Sequence, residues 1–107
     1  MSRCADVWTL KVNYYMLSAV NLAAAGEPRA AVGMYEKALS YDQRPEIYIN
    51  LGYALLDAGD RDAAQRAFVA AGMLNPAMLD KITYEELRAV TRSEVERTFS
   101  AWARKQP

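Results

Sequence analysis

The fold of this chain can be predicted from residues 45–76, which read PEIYINLGYALLDAGDRDAAQRAFVAAGMLNP. Placed 33 residues earlier, the stretch lies over residues 12–43, VNYYMLSAVNLAAAGEPRAAVGMYEKALSYDQ. In this alignment small residues lie opposite small residues along the whole length, and the aromatic Phe68 lies opposite Tyr35. Matches of this kind, spread over a fixed period, indicate a repeated structural unit rather than a shared composition.

Each copy of the unit has the pattern of two helices. In the second copy, Pro45 fits the first turn of a helix that stops near Gly59, and Asp60 caps the helix that follows. Gly26 and Pro28 take the corresponding places in the first copy. No run of alternating apolar and polar residues lies between turn signals, so the sequence predicts an all-α chain.

Large and small residues recur in a fixed order within the two copies. In the second copy they are Tyr48, Leu51, Gly52, Leu55, Ala64, Phe68, Ala71 and Pro76, and in the first Tyr15, Ala31, Tyr35 and Ala38. This order resembles the tetratricopeptide repeat (TPR), from which Ser18 and Gln43 of the first copy depart. The resemblance implies a short α-solenoid of antiparallel helix pairs, about five to six helices in a single domain, with repeat 1 over about 12–44 and repeat 2 over about 45–78.

Helix packing gives a physical reason for three of these residues. Gly52 and Ala64 are expected to be small because the two helices of a unit cross closely there. Phe68 is expected to fill the space between one unit and the next. Truncation of such a buried aromatic side chain to alanine should cost roughly 3 to 5 kcal/mol of stability.

The tail, about residues 79–105, is expected to supply capping helices. Two repeats bury too little surface between them, and solenoids need about three units or polar caps. Thr83 with Glu86 and Ser93 with Glu96 each fit a capping box, so the sequence predicts two further helices. The charges of this region alternate in sign, which is typical of a solvated outer face.

The resemblance also implies a concave groove, lined by the first helix of each unit, in which members of the family bind peptides or partner helices. By the family's register the groove residues are Met16, Val20, Ile49, Asn50, Tyr53 and Leu56. They lie on a different helix face from Tyr15 and Tyr48, and a second apolar face needs a cover, either the chain's own tail or another protein. Asn50 either hydrogen-bonds a peptide backbone or satisfies a neighbouring helix end.

Two apolar features lie outside the repeats. Val95, Phe99 and Trp102 form a helical stripe that could fold over the groove. At the other end, Asp6 is expected to cap the first helix, and Trp8 either covers the exposed edge of the stack or anchors a partner.

Composition narrows the class of function. The 107 residues carry 13 basic and 13 acidic side chains, which leaves no net charge to attract nucleic acid or an anionic membrane. Histidine is absent, Cys4 has no second cysteine, and the sequence contains no glycine-rich phosphate loop and no metal-ligand spacing. We therefore expect no enzyme activity, no cofactor and no metal.

These observations predict a non-enzymatic adaptor that binds a peptide or partner helix in its groove. The alternatives are a structural protein that assembles end to end around Trp8 or Trp102, and an accessory or secretion-chaperone subunit of a larger complex. No apolar leader precedes the first helix, and the apolar stretch 14–25 is too short to span a bilayer, so we expect a soluble, cytoplasmic protein.

Overall fold

The computed structural model describes residues 3–107, with side chains from residue 7 onward. Over this range the chain forms five α-helices and one 3₁₀ helix, and no strand. The helices are α1 (Arg3–Ala24), α2 (Pro28–Tyr41), α3 (Pro45–Asp57), α4 (Arg61–Leu74), the 3₁₀ helix (Pro76–Lys81) and α5 (Glu85–Arg104). The prediction of an all-α chain with five to six helices is confirmed.

The helices pack against their neighbours in sequence order. Helix α1 packs on α2, α2 on α3, α3 on α4 and α4 on α5, while the 3₁₀ helix contacts α3, α4 and α5. The described chain measures 40 × 39 × 18 Å, so it is a thin slab with two broad faces. This is the arrangement of a short helical-repeat solenoid.

The turns between paired helices follow the predicted residues. Gly26 and Gly59 have φ angles of 80° and 86°, a left-handed conformation that favours glycine at helix ends. Pro28 and Pro45 are the first residues of α2 and α3. The Asp60 carboxylate accepts a hydrogen bond of 3.1 Å from the Ala63 backbone N–H, which caps α4 as expected.

Two core clusters hold the slab together. The first joins α1, α2 and α3 with Ala67 of α4, and the second joins Ile49 of α3 to α4, the 3₁₀ helix and α5. Most repeat residues are buried, namely Ala31, Tyr35, Ala38, Leu51, Gly52, Ala64, Phe68 and Ala71. Tyr15, Tyr48 and Leu55 are half-buried against the clusters, whereas Pro76 is exposed at the start of the 3₁₀ helix. Burial also raises the pKa of the Tyr35 hydroxyl above its usual value.

Close helix contacts depend on two glycines. A Cβ atom on Gly52 would lie 2.6 Å from Cζ of Phe68, so α3 and α4 touch through the glycine and the ring. A Cβ atom on Gly72 would lie 2.8 Å from side-chain atoms of both Leu79 and Val95, so the tail packs on α4 at Gly72. Phe68 belongs to the second cluster, and its ring lies against Gly52 and Tyr53 of α3, so its closest contacts are within the second helix pair.

The tail differs from its prediction. The two capping boxes are wrong, because one helix, α5, runs from Glu85 through Ser93 without a break. Its N-cap residue is Tyr84, with no side-chain capping bond. Leu87, Thr91 and Val95 are buried along one face of α5, and this face keeps the helix continuous, while Ser93 points to solvent.

The expected stripe at the end of the chain is only partly buried. Val95 packs in the second cluster, whereas Phe99 and Trp102 are exposed. Of the two positions open to this stripe, over the groove or elsewhere, Val95 takes the second, because it packs against α4 at Gly72.

The N-terminal helix starts earlier than predicted. Helix α1 begins at Arg3, so Asp6 lies inside it rather than before it, and the Asp6 side chain falls outside the described residues. The Trp8 ring is half-exposed and meets Tyr41 edge-on, with ring centroids 4.9 Å apart. Trp8 therefore covers part of the end of the stack. None of the described helices is long and apolar enough to cross a membrane.

Candidate functional site

The tail crosses the inner face of α3 at Tyr53. The Tyr53 hydroxyl donates a hydrogen bond of 2.8 Å to the backbone carbonyl of Lys81 and accepts one of 2.8 Å from the backbone N–H of Thr83. The Thr83 hydroxyl lies 3.2 Å from the same oxygen. The chain's own tail thus covers part of the predicted groove through residues 81–83, which contact Tyr53.

The crossing divides the inner face of α3 into two depressions. The first, which we call the inner depression, has a volume of about 310 Å³ and is lined by Glu46, Ile49, Asn50, Tyr53, Met78 and Lys81. Ile49 forms its floor, and only 5% of this residue is exposed, because Ile49 also belongs to the second core cluster. Met78 and Lys81 of the 3₁₀ helix form the wall that the tail contributes.

The second depression lies beyond Tyr53. It has a volume of about 450 Å³ and is lined by Leu56, Asp57, Arg61, Tyr84, Glu85, Glu86 and Leu87. Tyr84 lines this depression, and its ring centroid lies 6.2 Å from that of Tyr53, which lines the inner depression. Leu56, predicted as a groove residue, therefore lies apart from Ile49 and Asn50.

The two groove residues predicted on α1 have different surroundings. Met16 is half-buried and packs against the first core cluster. Val20 is exposed. The structure thus brings Ile49, Asn50 and Tyr53 together in the inner depression and leaves the other three predicted residues outside it.

The inner depression combines three kinds of contact. Ile49 and Met78 give it an apolar lining, Asn50 contributes an amide that both donates and accepts, and Glu46 and Lys81 place opposite charges in its wall. None of the side-chain hydrogen bonds in the described part of the chain involves the Asn50 amide. This combination of groups fits a ligand that offers an apolar side chain with a backbone amide group next to it.

Sequence reasoning missed Met78 and Lys81 as parts of this face. Their signal is the pair Leu79 and Ile82, three residues apart after a proline, both almost fully buried in the structure. This short apolar pattern fixes a 3₁₀ turn against α4, which turns Met78 and Lys81 toward α3.

A wider cleft lies on the other side of the helix pairs. Its volume is about 510 Å³, and its lining includes Arg29, Glu36, Tyr48, Leu55 and Arg66. Here the Arg29 guanidinium donates a hydrogen bond of 3.2 Å to the carbonyl of Ala58, which ties α2 to the end of α3. This cleft is a contact between helix pairs and contains none of the predicted groove residues.

Among the described residues, no group of three acidic or cysteine side chains is placed to hold a metal ion. Comparison with known proteins gives no match: no family model fits the chain, and neither a curated protein nor a solved structure is significantly similar to it.

Proposed function

We propose that this protein is a non-enzymatic interaction adaptor of the tetratricopeptide type, and that its inner depression binds a short peptide segment of another protein. The observation that carries the proposal is the inner depression itself, where the apolar Ile49 and Met78 lie beside the amide of Asn50. The repeat order in residues 12–76 supports the same face, since the first helices of such repeats line the binding groove.

The size of the inner depression favours a single peptide side chain as its ligand over a whole small molecule. A volume of about 310 Å³ lies at the lower limit of ligand pockets, which span about 300 to 1,000 Å³. One large apolar side chain of an extended peptide fills such a space, and its neighbouring peptide group reaches Asn50. Glu46 and Lys81 add opposite charges that select the residues on either side.

Asn50 is the residue to change in a test. Ile49 is unsuitable because it is also a core residue, and its replacement would unfold the chain rather than report on binding. Peptides selected from a random displayed library against the full chain supply the probe, and fluorescence anisotropy gives their Kd. We expect Asn50→Ala to raise the Kd roughly two- to tenfold, the effect of losing one hydrogen bond.

Gln65→Ala is the matched control. Gln65 is also a half-buried amide, but it lies on α4 in a separate depression with Asp62 and Glu94. The control should leave the Kd unchanged. An equal change of the Kd in both variants, or a selection that enriches no peptide, would overturn the proposed function.

A further inference from the structure

Helix α1 carries a second apolar face that nothing in the described chain covers. Val7, Leu10, Tyr14 and Leu17 are 48%, 67%, 66% and 63% exposed. Their spacing of three, four and three residues places them on one stripe of the helix. We call this set the α1 stripe.

The stripe lies opposite the core face of the same helix. Val12 and Ala19 are fully buried against α2 and α3, and at 100° per residue they lie on the far side of α1 from Leu10 and Leu17. Packing of the solenoid therefore cannot cover the stripe. The spacing matches the a and d positions of a coiled coil, which interlock with another helix at a crossing angle of about 20°.

The stripe lies near the upper end of the size range of exposed apolar patches. Its four side chains expose on the order of 500 Å² of surface, most of it apolar, whereas the largest patch on an ordinary monomer is about 300 to 600 Å². Two such stripes in contact remove at most on the order of 1,000 Å² from water, which is the size of a small, weak interface.

The charges on α1 distinguish between the kinds of partner that such a surface could bind. Between residues 7 and 24 the sequence has one charged residue, Lys11. Its ammonium nitrogen lies 5.3 Å from the centre of the Tyr41 ring, which holds it beside α2 and away from the stripe. A membrane-surface helix carries a strongly cationic polar face, and a charged partner helix needs counter-charges. Residues 7–24 of α1 offer neither.

We propose that the α1 stripe binds the α1 stripe of a second copy of this chain, about a two-fold axis. An uncharged apolar stripe is complementary to itself, since no like charges meet when two copies pair. A second exposed apolar pair, Phe99 and Trp102 on α5, lies among charged residues such as Arg97 and Arg104. It therefore matches the α1 stripe less well than a second stripe does, and the pairing closes as a dimer rather than continuing end to end.

Light scattering on the full chain, coupled to size-exclusion chromatography over a range of concentrations, tests this pairing. We expect the wild-type mass to approach twice the chain mass of 12.0 kDa as the concentration rises. Leu10→Glu combined with Leu17→Glu should return the mass to that of one chain with an unchanged helical circular dichroism spectrum. If that variant does not fold, Leu10→Ser combined with Leu17→Ser provides the same comparison with a milder change.

Phe99→Glu combined with Trp102→Glu is the matched control, with two exposed apolar residues changed on α5. It should leave the dimer intact. A wild-type chain that stays at 12.0 kDa at every concentration contradicts the proposal, and so does a control that loses the dimer as fully as the α1 variant does. Because the stripe and the inner depression share no residue, failure of the dimer leaves the peptide measurement on Asn50 unaffected.

Discussion

At residue 52 the two helices of the second pair, α3 and α4, lie too close together to leave room for a side chain. The aromatic ring of Phe68 occupies the position that a Cβ atom of Gly52 would take, and Phe68 is fully buried. Because the ring is fully buried, it cannot rotate away into solvent. A methyl group added at residue 52 would therefore force α3 and α4 apart. Gly52 thus sets the distance between these helices.

Alanine at this position is expected to destabilise the fold. We predict that Gly52→Ala lowers the free energy of unfolding by about 1 to 3 kcal/mol, the usual effect of overpacking a core. Gly33→Ala is the control, since Gly33 lies inside α2 with no atom within 4 Å of its added Cβ. It should raise the free energy of unfolding by about 0.5 to 1 kcal/mol through helix propensity.

Urea denaturation measures both changes. Shifts of the same sign and size in Gly52→Ala and Gly33→Ala would show that α3 and α4 do not meet at Gly52.

At the scale of elements, the connection between α4 and α5 is the informative one. The Tyr53 hydroxyl bonds both the Lys81 carbonyl and the Thr83 N–H, about 30 residues away in sequence. Tyr53 is thus the polar anchor that holds the tail against α3, while Leu79 and Ile82 provide the apolar anchor on the other side. The wall of the inner depression depends on this anchor.

Removal of one oxygen atom tests the anchor. We predict that Tyr53→Phe speeds hydrogen exchange of the Thr83 amide roughly fivefold, since loss of this bond costs about 1 kcal/mol locally. Tyr84→Phe is the control, because Tyr84 is exposed and neighbours Tyr53. Equal exchange at Thr83 in wild type and Tyr53→Phe would show that the hydroxyl does not hold the tail.

The two helix pairs could be predicted from the sequence because their signals are local. Gly59 needs a left-handed φ, Pro45 fits a first turn, and Asp60 caps through a residue three positions away. The tail lacks such signals. Thr83 has the spacing of a capping box, but its backbone N–H bonds the Tyr53 hydroxyl instead, and a contact over 30 residues does not appear in any periodic pattern.

The candidate site, too, could be predicted only in part, because some of its features depend on contacts between residues far apart in sequence. The resemblance placed Ile49, Asn50 and Tyr53 on one face, and the structure has all three around the inner depression. It did not show that Ile49 is a core residue or that Leu56 lines a separate depression, because both facts depend on where the tail crosses α3.

At the scale of the whole molecule, the two proposed surfaces are separate. The inner depression lies between α3 and the 3₁₀ helix, and the α1 stripe lies at the other end of the chain. A dimer through α1 would carry two inner depressions, so that a partner with two matching segments binds both and gains avidity without a new contact.

The most direct test of the central claim, that the inner depression binds peptide, is a nuclear magnetic resonance titration of the isotope-labelled chain with a library-selected peptide. We expect the largest backbone amide shifts at Ile49, Asn50, Met78 and Lys81, which line the inner depression. Largest shifts along the α1 stripe, or in the cleft around Tyr48 and Leu55, would contradict it.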